Sequence, residues 1–161
     1  MTDEYYMELA LKEAEKSLIT GDIPIGAVIV LDSKVISKAH NTREKDQLAV
    51  GHAEINAITK ANKKVGRYRL DGGVIYITKE PCLMCMGAIL SARISRIVYG
   101  MKDLRFGTEY LASDNKFNHK SEIIGGVLEE KCSALVSQFF KDLRGNNENS
   151  RKTTSITKEK R

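Results

Sequence analysis

Residues 76–100 read YITKEPCLMCMGAILSARISRIVYG, and the order of elements that they predict indicates the fold class. Residues 74–78 are β-branched and aromatic and predict one strand, and residues 97–99 predict another. Between them, Pro81 opens a helix that runs to about Arg93, because proline suits a first helical turn, where its missing N–H is not needed. A strand, a helix and a second strand in this order indicate that at least part of the sheet is parallel.

The flanking sequence predicts further elements of both kinds. Apolar residues at three-and-four spacing predict helices over residues 3–20, 53–64 and 129–144, with a short helix near Tyr110. Strands are predicted at residues 25–31, 35–39 and 122–124. Gly21 ends the first helix, and the polar residues 40–47 are interpreted as a loop. This order predicts a three-layer α/β domain.

Length and composition exclude several classes of protein. The chain has 161 residues, 42% of them hydrophobic, which suits one domain with a buried core. Its longest apolar run, residues 25–31, is far below the ~20 residues of a membrane span. Residues 1–20 are acidic and amphipathic, unlike a signal peptide, and an odd count of three cysteines favours a reduced, cytoplasmic protein. Disorder, membrane insertion and secretion are therefore poor interpretations.

The net charge of +5 is unevenly distributed along the chain. Residues 1–59 carry 6 basic and 10 acidic side chains, whereas residues 60–105 carry 10 basic and 3 acidic ones. A modest excess of basic side chains of this kind permits a polyanionic partner without requiring one.

Two short segments, His52-Ala53-Glu54 and Pro81-Cys82-Leu83-Met84-Cys85, carry the chemistry. Two cysteines three positions apart at a helix start can place both sulfurs within reach of one tetrahedral ion. A helix N-terminus also favours the thiolate, which is the form that binds metal. His52 completes three protein ligands, and an open fourth position distinguishes a catalytic zinc from a structural one.

Glu54 lies two residues after His52, so its carboxylate can stand beside a metal without binding it and can move protons to a substrate. Each feature alone has a simpler explanation. A CxxC pair is more often half of a structural zinc site or a redox pair. A histidine at a helix start is usually a capping or core residue. A glutamate in a first turn is commonly stabilised there by the helix dipole. Together they match the zinc deaminase signature H-x-E…P-C-x-x-C.

From residue 3 to residue 144 the chain resembles the bacterial tRNA adenosine deaminase family, within the cytidine deaminase-like superfamily. Besides residues 76–100, the resemblance is carried by PIGAVIV (24–30), HN (40–41), HAEINAI (52–58), FNHK (117–120) and GVLEEKCSALVSQFFKDLR (126–144). It implies a three-layer α/β/α cytidine deaminase-like fold with a central mixed five-stranded sheet. Residues 1–144 then form a zinc-dependent deaminase domain, and residues 145–161 are predicted to be a basic, disordered tail.

The resemblance also implies an activity: hydrolytic deamination of adenosine to inosine at the wobble position of a tRNA anticodon. It assigns one Zn²⁺ per subunit to His52, Cys82 and Cys85, and proton transfer to Glu54. The residues expected to contact the anticodon stem-loop are Asn41, Ala53, Asn118, His119, Phe140 and Arg144. A homodimer in the cytoplasm, without membrane association, is expected. The alternatives are a free nucleobase deaminase acting on guanine or cytosine, and a structural zinc module that binds nucleic acid.

This chain departs from the family pattern in two loops. Leu48-Ala49-Val50-Gly51 replaces the D-P-T-A of some members before the histidine. After Gly100, the chain keeps Asp103 and Gly107 of the family's loop but has Leu104-Arg105-Phe106 between them. The role of the loop from Asp103 to Tyr110 in substrate preference is therefore open. The third cysteine, Cys132, lies on the apolar face of the last predicted helix and is expected to be a small buried hydrophobic residue. The alternative is a fourth zinc ligand, which would close the site and exclude catalysis.

Overall fold

The structure is a computed structural model that describes the backbone of residues 1–159 and the side chains of residues 1–154. The helices are α1 (Asp3–Lys16), α2 (Arg43–Asp46), α3 (Ala53–Val65), α4 (Leu83–Ser91) and α5 (Glu129–Glu159). The strands are β1 (Gly26–Leu31), β2 (Lys34–His40), β3 (Val74–Lys79), β4 (Arg96–Met101) and β5 (Glu122–Ile124). Two 3₁₀ turns lie at Ser17–Thr20 and Glu109–Ser113.

The five strands form one mixed sheet in the order β2-β1-β3-β4-β5. Strand β1 is antiparallel to both β2 and β3, whereas β3, β4 and β5 are parallel. The predicted strand–helix–strand unit is confirmed as β3, α4 and β4. The carboxyl ends of β3 and β4 therefore meet at one edge of the sheet, where the loops after them lie together.

The sheet has one hydrophobic core on each face. Because side chains alternate along a strand, Ala27 and Ile29 of β1 belong to the core beneath α3 and α4, and Val28 and Val30 belong to the core beneath α1 and α5. All six residues of β1 are buried, as expected for a strand covered on both faces. The predicted three-layer fold is confirmed.

The backbone of helix α1 lies close against the sheet at Gly26. A Cβ atom built on this residue would lie 1.9 Å from the carbonyl oxygen of Ala10 and 2.7 Å from the backbone nitrogen of Ala14. The glycine of the PIGAVIV segment is therefore the point at which the helix backbone rests on the strand, and any side chain there would push α1 off the sheet.

Helix boundaries differ in detail from the sequence predictions. Helix α1 ends at Lys16, and a 3₁₀ turn leads to Gly21, whose φ of 73° ends the segment as predicted. The predicted loop contains the one-turn helix α2. This turn forms because the carboxylate of Asp22 accepts hydrogen bonds from backbone N–H groups at its start. Helix α4 begins after Cys82 rather than at Pro81.

The segment beyond Gly145 also differs from the prediction, because α5 continues to Glu159 instead of giving way to a disordered tail. No proline interrupts it, and the hydroxyl groups of Ser150 and Thr154 each donate to the carbonyl oxygen four residues earlier. From Lys141 to Thr154 every side chain is exposed. Residues 160 and 161 of the predicted tail lie outside the described residues. Among the described helices, none is long and apolar enough to cross a membrane.

Candidate metal centre

Two helix N-termini meet at the carboxyl edge of the sheet. His52 is the N-cap of α3, and Cys82, which follows β3, is the N-cap of α4. Both residues have extended backbone, and neither side chain is used to cap its own helix. The two side chains are therefore free to point toward each other, and the partial positive charge of each N-terminus favours an anionic sulfur nearby.

The donor atoms of His52, Cys82 and Cys85 form a compact triangle. The Nδ1 atom of His52 lies 3.6 Å from the Sγ atom of Cys82 and 3.4 Å from that of Cys85. Tetrahedral zinc, with bonds of about 2.3 Å to sulfur and 2.05 Å to nitrogen, requires an N···S separation of about 3.6 Å. In the described part of the chain this is the one His/Cys/Asp/Glu group whose ligand atoms could share a metal. The donor set fits a zinc ion.

The electrostatics of the site favour the metal-binding form of one of the two sulfurs. The pKa of Cys82 is lowered to about 4, chiefly because Cys85 hydrogen-bonds to its sulfur and further because His52 does so. The pKa of Cys85 is raised, first by the same hydrogen bond and then by burial. The pKa of His52 is raised above its ordinary value mainly by its hydrogen bond with Cys82. The site therefore favours a thiolate, the form that ligates metal.

Glu54 lies beside this triangle, in the first turn of α3. Its side chain is buried, with 4% of the residue exposed. Burial raises the pKa of its carboxyl group, because desolvation disfavours the charged form, and a hydrogen bond with Cys85 partly opposes that effect. A buried carboxyl group with a raised pKa next to a metal site is suited to accept a proton and to release it again.

Asn41 connects the end of β2 to the start of α3. Its Oδ1 atom accepts a hydrogen bond of 3.1 Å from the backbone N–H of Ala53. Asn56 of α3 holds the same loop, because its Nδ2 atom donates to the carbonyl oxygen of His40 and to the hydroxyl of Thr42. The loop and the helix that carries Glu54 are thereby fixed against each other.

A cavity of about 720 Å³ opens onto the metal centre. Five of the residues predicted from the sequence line it, namely Asn41, His52, Glu54, Cys82 and Phe140. Phe139 and Phe140 stand on its wall with their rings at 71° and 5.3 Å apart. Ala53 is fully buried beneath the wall.

Three further predicted contacts, like Ala53, do not line this cavity in the described structure. Asn118 is exposed on the loop before β5, and Arg144 is exposed on α5. The Nε2 atom of His119 lies 2.7 Å from the carbonyl oxygen of Ile94, so its ring is engaged with the loop between α4 and β4. Contact of these residues with a substrate outside the cavity stays a prediction.

Two carboxylates on the cavity wall were missed by the sequence reasoning. Asp22 accepts hydrogen bonds from the backbone N–H groups of Glu44 and Lys45. Glu80 accepts from the N–H groups of Asp103 and Glu109, 3.0 Å in each case. Both are nearly fully buried. In the sequence, the one hint of a role is that Asp22 follows the helix-ending Gly21 and Glu80 precedes Pro81. The backbone groups that the two carboxylates bind lie about 20 to 30 residues away along the chain, so the sequence does not reveal these contacts.

The two divergent loops also take defined positions. Leu48 and Val50 are about half exposed near the N-terminus of α3. Asp103 lines the cavity, accepts two backbone N–H groups from its own loop and pairs with Lys79 at 3.2 Å.

Cys132 lies away from the metal centre. It is 1% exposed in the core beneath α1 and α5, where its sulfur occupies the space beside Gly100. Burial raises the pKa of its thiol to about 12. The prediction that Cys132 is a buried hydrophobic residue is confirmed, and the candidate metal centre keeps three protein ligands.

Comparison with known proteins agrees with this geometry. The family model of MafB19-like deaminases matches residues 1–144. The tRNA-specific adenosine deaminase of Bacillus subtilis (strain 168) is 42% identical over 157 residues, which cover 95% of this chain and 98% of that protein. The tRNA-specific adenosine deaminase of Aquifex aeolicus (strain VF5) is 36% identical, with 91% and 99% of the two chains covered.

Solved structures show the same likeness. A structure from studies of A-to-I editing by tRNA:A34 deaminases at the wobble position of transfer RNA superposes with a TM-score of 0.78 and 36% identity, over 81% of this chain and 98% of that one. A guanine deaminase from Bacillus subtilis superposes with a TM-score of 0.61 and 28% identity, over 90% and 95% of the two chains.

Proposed function

We propose that this chain, which belongs to the family of MafB19-like deaminases and within it to the tRNA-specific adenosine deaminases, converts adenosine to inosine at the wobble position of a tRNA anticodon. The observation that carries the proposal is the cluster of His52, Cys82 and Cys85 next to the buried Glu54, with His52, Glu54 and Cys82 lining one cavity. Three ligands and a free carboxyl group are what hydrolytic deamination requires.

The three ligands would hold one Zn²⁺ in each subunit. The separation of their donor atoms agrees with tetrahedral zinc, and Cys132 is too far away to close the site. A zinc ion held in this way supplies a water that is acidic near neutral pH.

Glu54 moves protons between water and the base. Hydrolysis adds the oxygen of water at the ring carbon that carries the amine, and the amine leaves as ammonia. The carboxylate of Glu54 accepts a proton from the water, delivers a proton to the ring nitrogen and finally protonates the departing amine. Its buried position keeps bulk water from exchanging these protons, and its raised pKa suits a group that both accepts and donates.

Asn41 and Ala53 would orient the target base. The Oδ1 atom of Asn41 is engaged by the N–H of Ala53, so its Nδ2 atom is the part of the amide that can donate to a nucleotide in the cavity. This hydrogen bond holds the side chain of Asn41 in one orientation before the substrate binds, so less conformational entropy is lost on binding.

An unpaired adenosine is the form that this cavity can receive. Anticodon-loop bases are not paired, so presenting one to the zinc site requires little unstacking energy. Phe140 would contact the loop at the cavity wall, and Asn118, His119 and Arg144 would contact its phosphates and sugars further out. The subunits would associate as a homodimer in the cytoplasm, as the family resemblance implies.

The proposal is tested by incubating the purified, zinc-loaded protein with total tRNA and sequencing the anticodons for inosine. We expect inosine at the wobble position of a subset of tRNAs. Turnover of guanine without any change in tRNA would instead assign a free-base deaminase. A metal spectrum showing four protein ligands and no exchangeable water would assign a structural zinc module.

A further inference from the structure

Phe106 presents an aromatic ring at the rim of the catalytic cavity. The residue lines the same cavity as Glu54, yet 60% of it is exposed. Because most of this side chain is exposed, its ring contributes little buried area to the fold and is accessible to a ligand in the cavity.

The loop that carries Phe106 is held by backbone hydrogen bonds rather than by packing of that ring. The Oδ1 atom of Asp103 accepts the N–H groups of Arg105 and Phe106, 3.0 Å in each case. Glu80 accepts the N–H groups on both sides of this turn, at Asp103 and Glu109. The hydrogen bonds to Asp103 and Glu80 hold the loop in place without using the Phe106 ring, so the ring can contact a ligand without disturbing the loop.

Gly107 allows Glu80 to approach the loop. A Cβ atom at Gly107 would lie within 2.4 Å of both carboxylate oxygens of Glu80. The hydroxyl of Thr108 donates to the carbonyl oxygen of Pro81 at 2.8 Å, which ties the loop to the segment that supplies the cysteine ligands. A preorganised loop of this kind loses little freedom when a ligand binds.

The surroundings of the ring suit a neutral, planar ligand attached to an anionic backbone. The guanidinium carbon of Arg105 lies 5.0 Å from the centre of the Phe106 ring, so one face of the ring carries a cation, and this cation can also attract a phosphate group. The carboxylates of Asp22, Glu80 and Asp103 on the cavity wall are already occupied by backbone N–H groups. An aromatic pair, Phe139 and Phe140, forms another part of the wall.

We propose that Phe106 is a stacking platform for the unpaired nucleobase adjacent to the target adenosine in the RNA, with Arg105 beside the phosphate that joins them. This inference rests on the proposed function and adds a subsite to it. Aromatic side chains stack on any base, because every base has a π-face. The subsite therefore favours a polynucleotide over a free base or nucleoside.

The test measures the affinity of a fluorescently labelled RNA hairpin, with adenosine at the wobble position of its loop, by anisotropy, together with kcat and KM for its deamination. In F106A we expect a Kd and KM roughly 10- to 100-fold higher with kcat nearly unchanged, since one stacking contact is lost. F106W should retain the wild-type affinity. A second hairpin, abasic next to the adenosine, should bind wild type and F106A equally.

L104A is the matched control, because Leu104 is 92% exposed on the same loop and does not line the cavity. It should leave the affinity and both kinetic constants unchanged. If F106A binds and deaminates the intact hairpin as wild type does, the inference is wrong. It is also wrong if F106A lowers the sedimentation coefficient while hairpin affinity is kept, because Phe106 then contacts a second copy of the chain. Absence of deamination of every hairpin by the wild type contradicts the proposed function instead.

Discussion

The side-chain oxygen of Asn41 accepts a hydrogen bond of 3.1 Å from the backbone N–H of Ala53. The bond joins the loop after β2 to the first turn of α3, directly between His52 and Glu54. It satisfies one of the N–H groups that a helix leaves free at its start. One amide thus fixes both the wall of the cavity and the helix that carries the proposed metal ligand and the proposed proton carrier.

Replacing Asn41 with alanine should weaken both stability and turnover. We expect a loss of about 1–3 kcal/mol in the free energy of unfolding, because the buried N–H of Ala53 loses its acceptor. Deamination of tRNA should fall as well, and urea denaturation with steady-state kinetics measures the two effects. N62A is the control, since Asn62 caps the carbonyl groups of Arg67 and Tyr68 away from the cavity. A drop in kcat in N62A as large as in N41A would contradict the role of Asn41.

Replacing Glu54 with glutamine should remove catalysis and keep the metal. The amide cannot accept and release a proton, so kcat should fall by at least about 10²- to 10⁴-fold. Zinc content, measured by elemental analysis, should be unchanged, because Glu54 is not one of the three donors. E13Q is a matched control, because Glu13 is another buried acid, paired with Lys16 at 2.7 Å on α1. Wild-type kcat in E54Q would exclude the proposed proton transfer.

Replacing each cysteine with alanine should distinguish the two proposed zinc ligands, Cys82 and Cys85, from the core residue Cys132. We expect C82A and C85A to lose zinc and activity, because the remaining two donors bind the ion weakly. C132A should keep one zinc per subunit and wild-type kcat, with a lower Tm, because its sulfur only fills space in the core near Gly100. Retention of zinc in C82A, or its loss in C132A, would show that the ligand set is wrong.

Because of the contact of Asp3 with Arg96, the free energy of unfolding should vary with pH in the acidic range. Two hydrogen bonds of 2.8 Å from Arg96 lower the pKa of Asp3, and Tyr76 donates a third. Folding therefore favours the charged carboxylate. The resulting stabilisation is complete above the unfolded pKa of about 3.9 and is lost as the pH falls through the lower folded pKa.

D3N should accordingly lower Tm at pH 7, and the difference from wild type should shrink as the pH falls below about 4. Thermal melts across this range measure it. D71N is the comparison, because Asp71 forms a similar pair with Arg69 that is exposed to solvent, so its loss should hardly change Tm. A difference in Tm between D3N and wild type that grows as the pH falls would contradict this prediction.

Adding one methyl group at Gly26 should disrupt the packing of α1. The new Cβ would lie 1.9 Å from the carbonyl oxygen of Ala10, so the helix must move, and we expect a cost of about 3 kcal/mol or more. Chemical denaturation measures the loss. G145A is the control, since Gly145 lies in α5 with nothing within 4 Å of an added Cβ, and it should not lower the stability of the fold. Equal stability of G26A and wild type would contradict the close approach.

The sequence predicts local elements well where the signal is local. Runs of β-branched residues identify β1, β3 and β4, and Gly21 ends the first helical segment. Helix α2 was missed because the groups that hold it come from Asp22, about twenty residues earlier. The helical continuation of α5 past Gly145 was missed because composition alone does not exclude an exposed helix.

For the candidate site, the residue types and spacing of His52, Glu54, Cys82 and Cys85 were sufficient to predict a zinc deaminase centre. Those four residues carry bond-forming chemistry, so their identities limit what the site can do. Glu80 and Phe106 could not be predicted in the same way. A glutamate that accepts backbone N–H groups and a phenylalanine at a cavity rim have no spacing pattern, because their partners are set by the path of the chain.

The fold class, the proposed metal ligands and the proposed proton carrier could thus be read from the sequence alone, because runs of β-branched residues, turn residues and ligand chemistry are encoded within short segments. How these segments meet depends on the tertiary structure. It brings the N-termini of α3 and α4 together, places Asn41 on Ala53, and sets Phe106 at the rim of the cavity. The physical reason is that such contacts depend on the sheet order β2-β1-β3-β4-β5, which joins residues far apart in the chain.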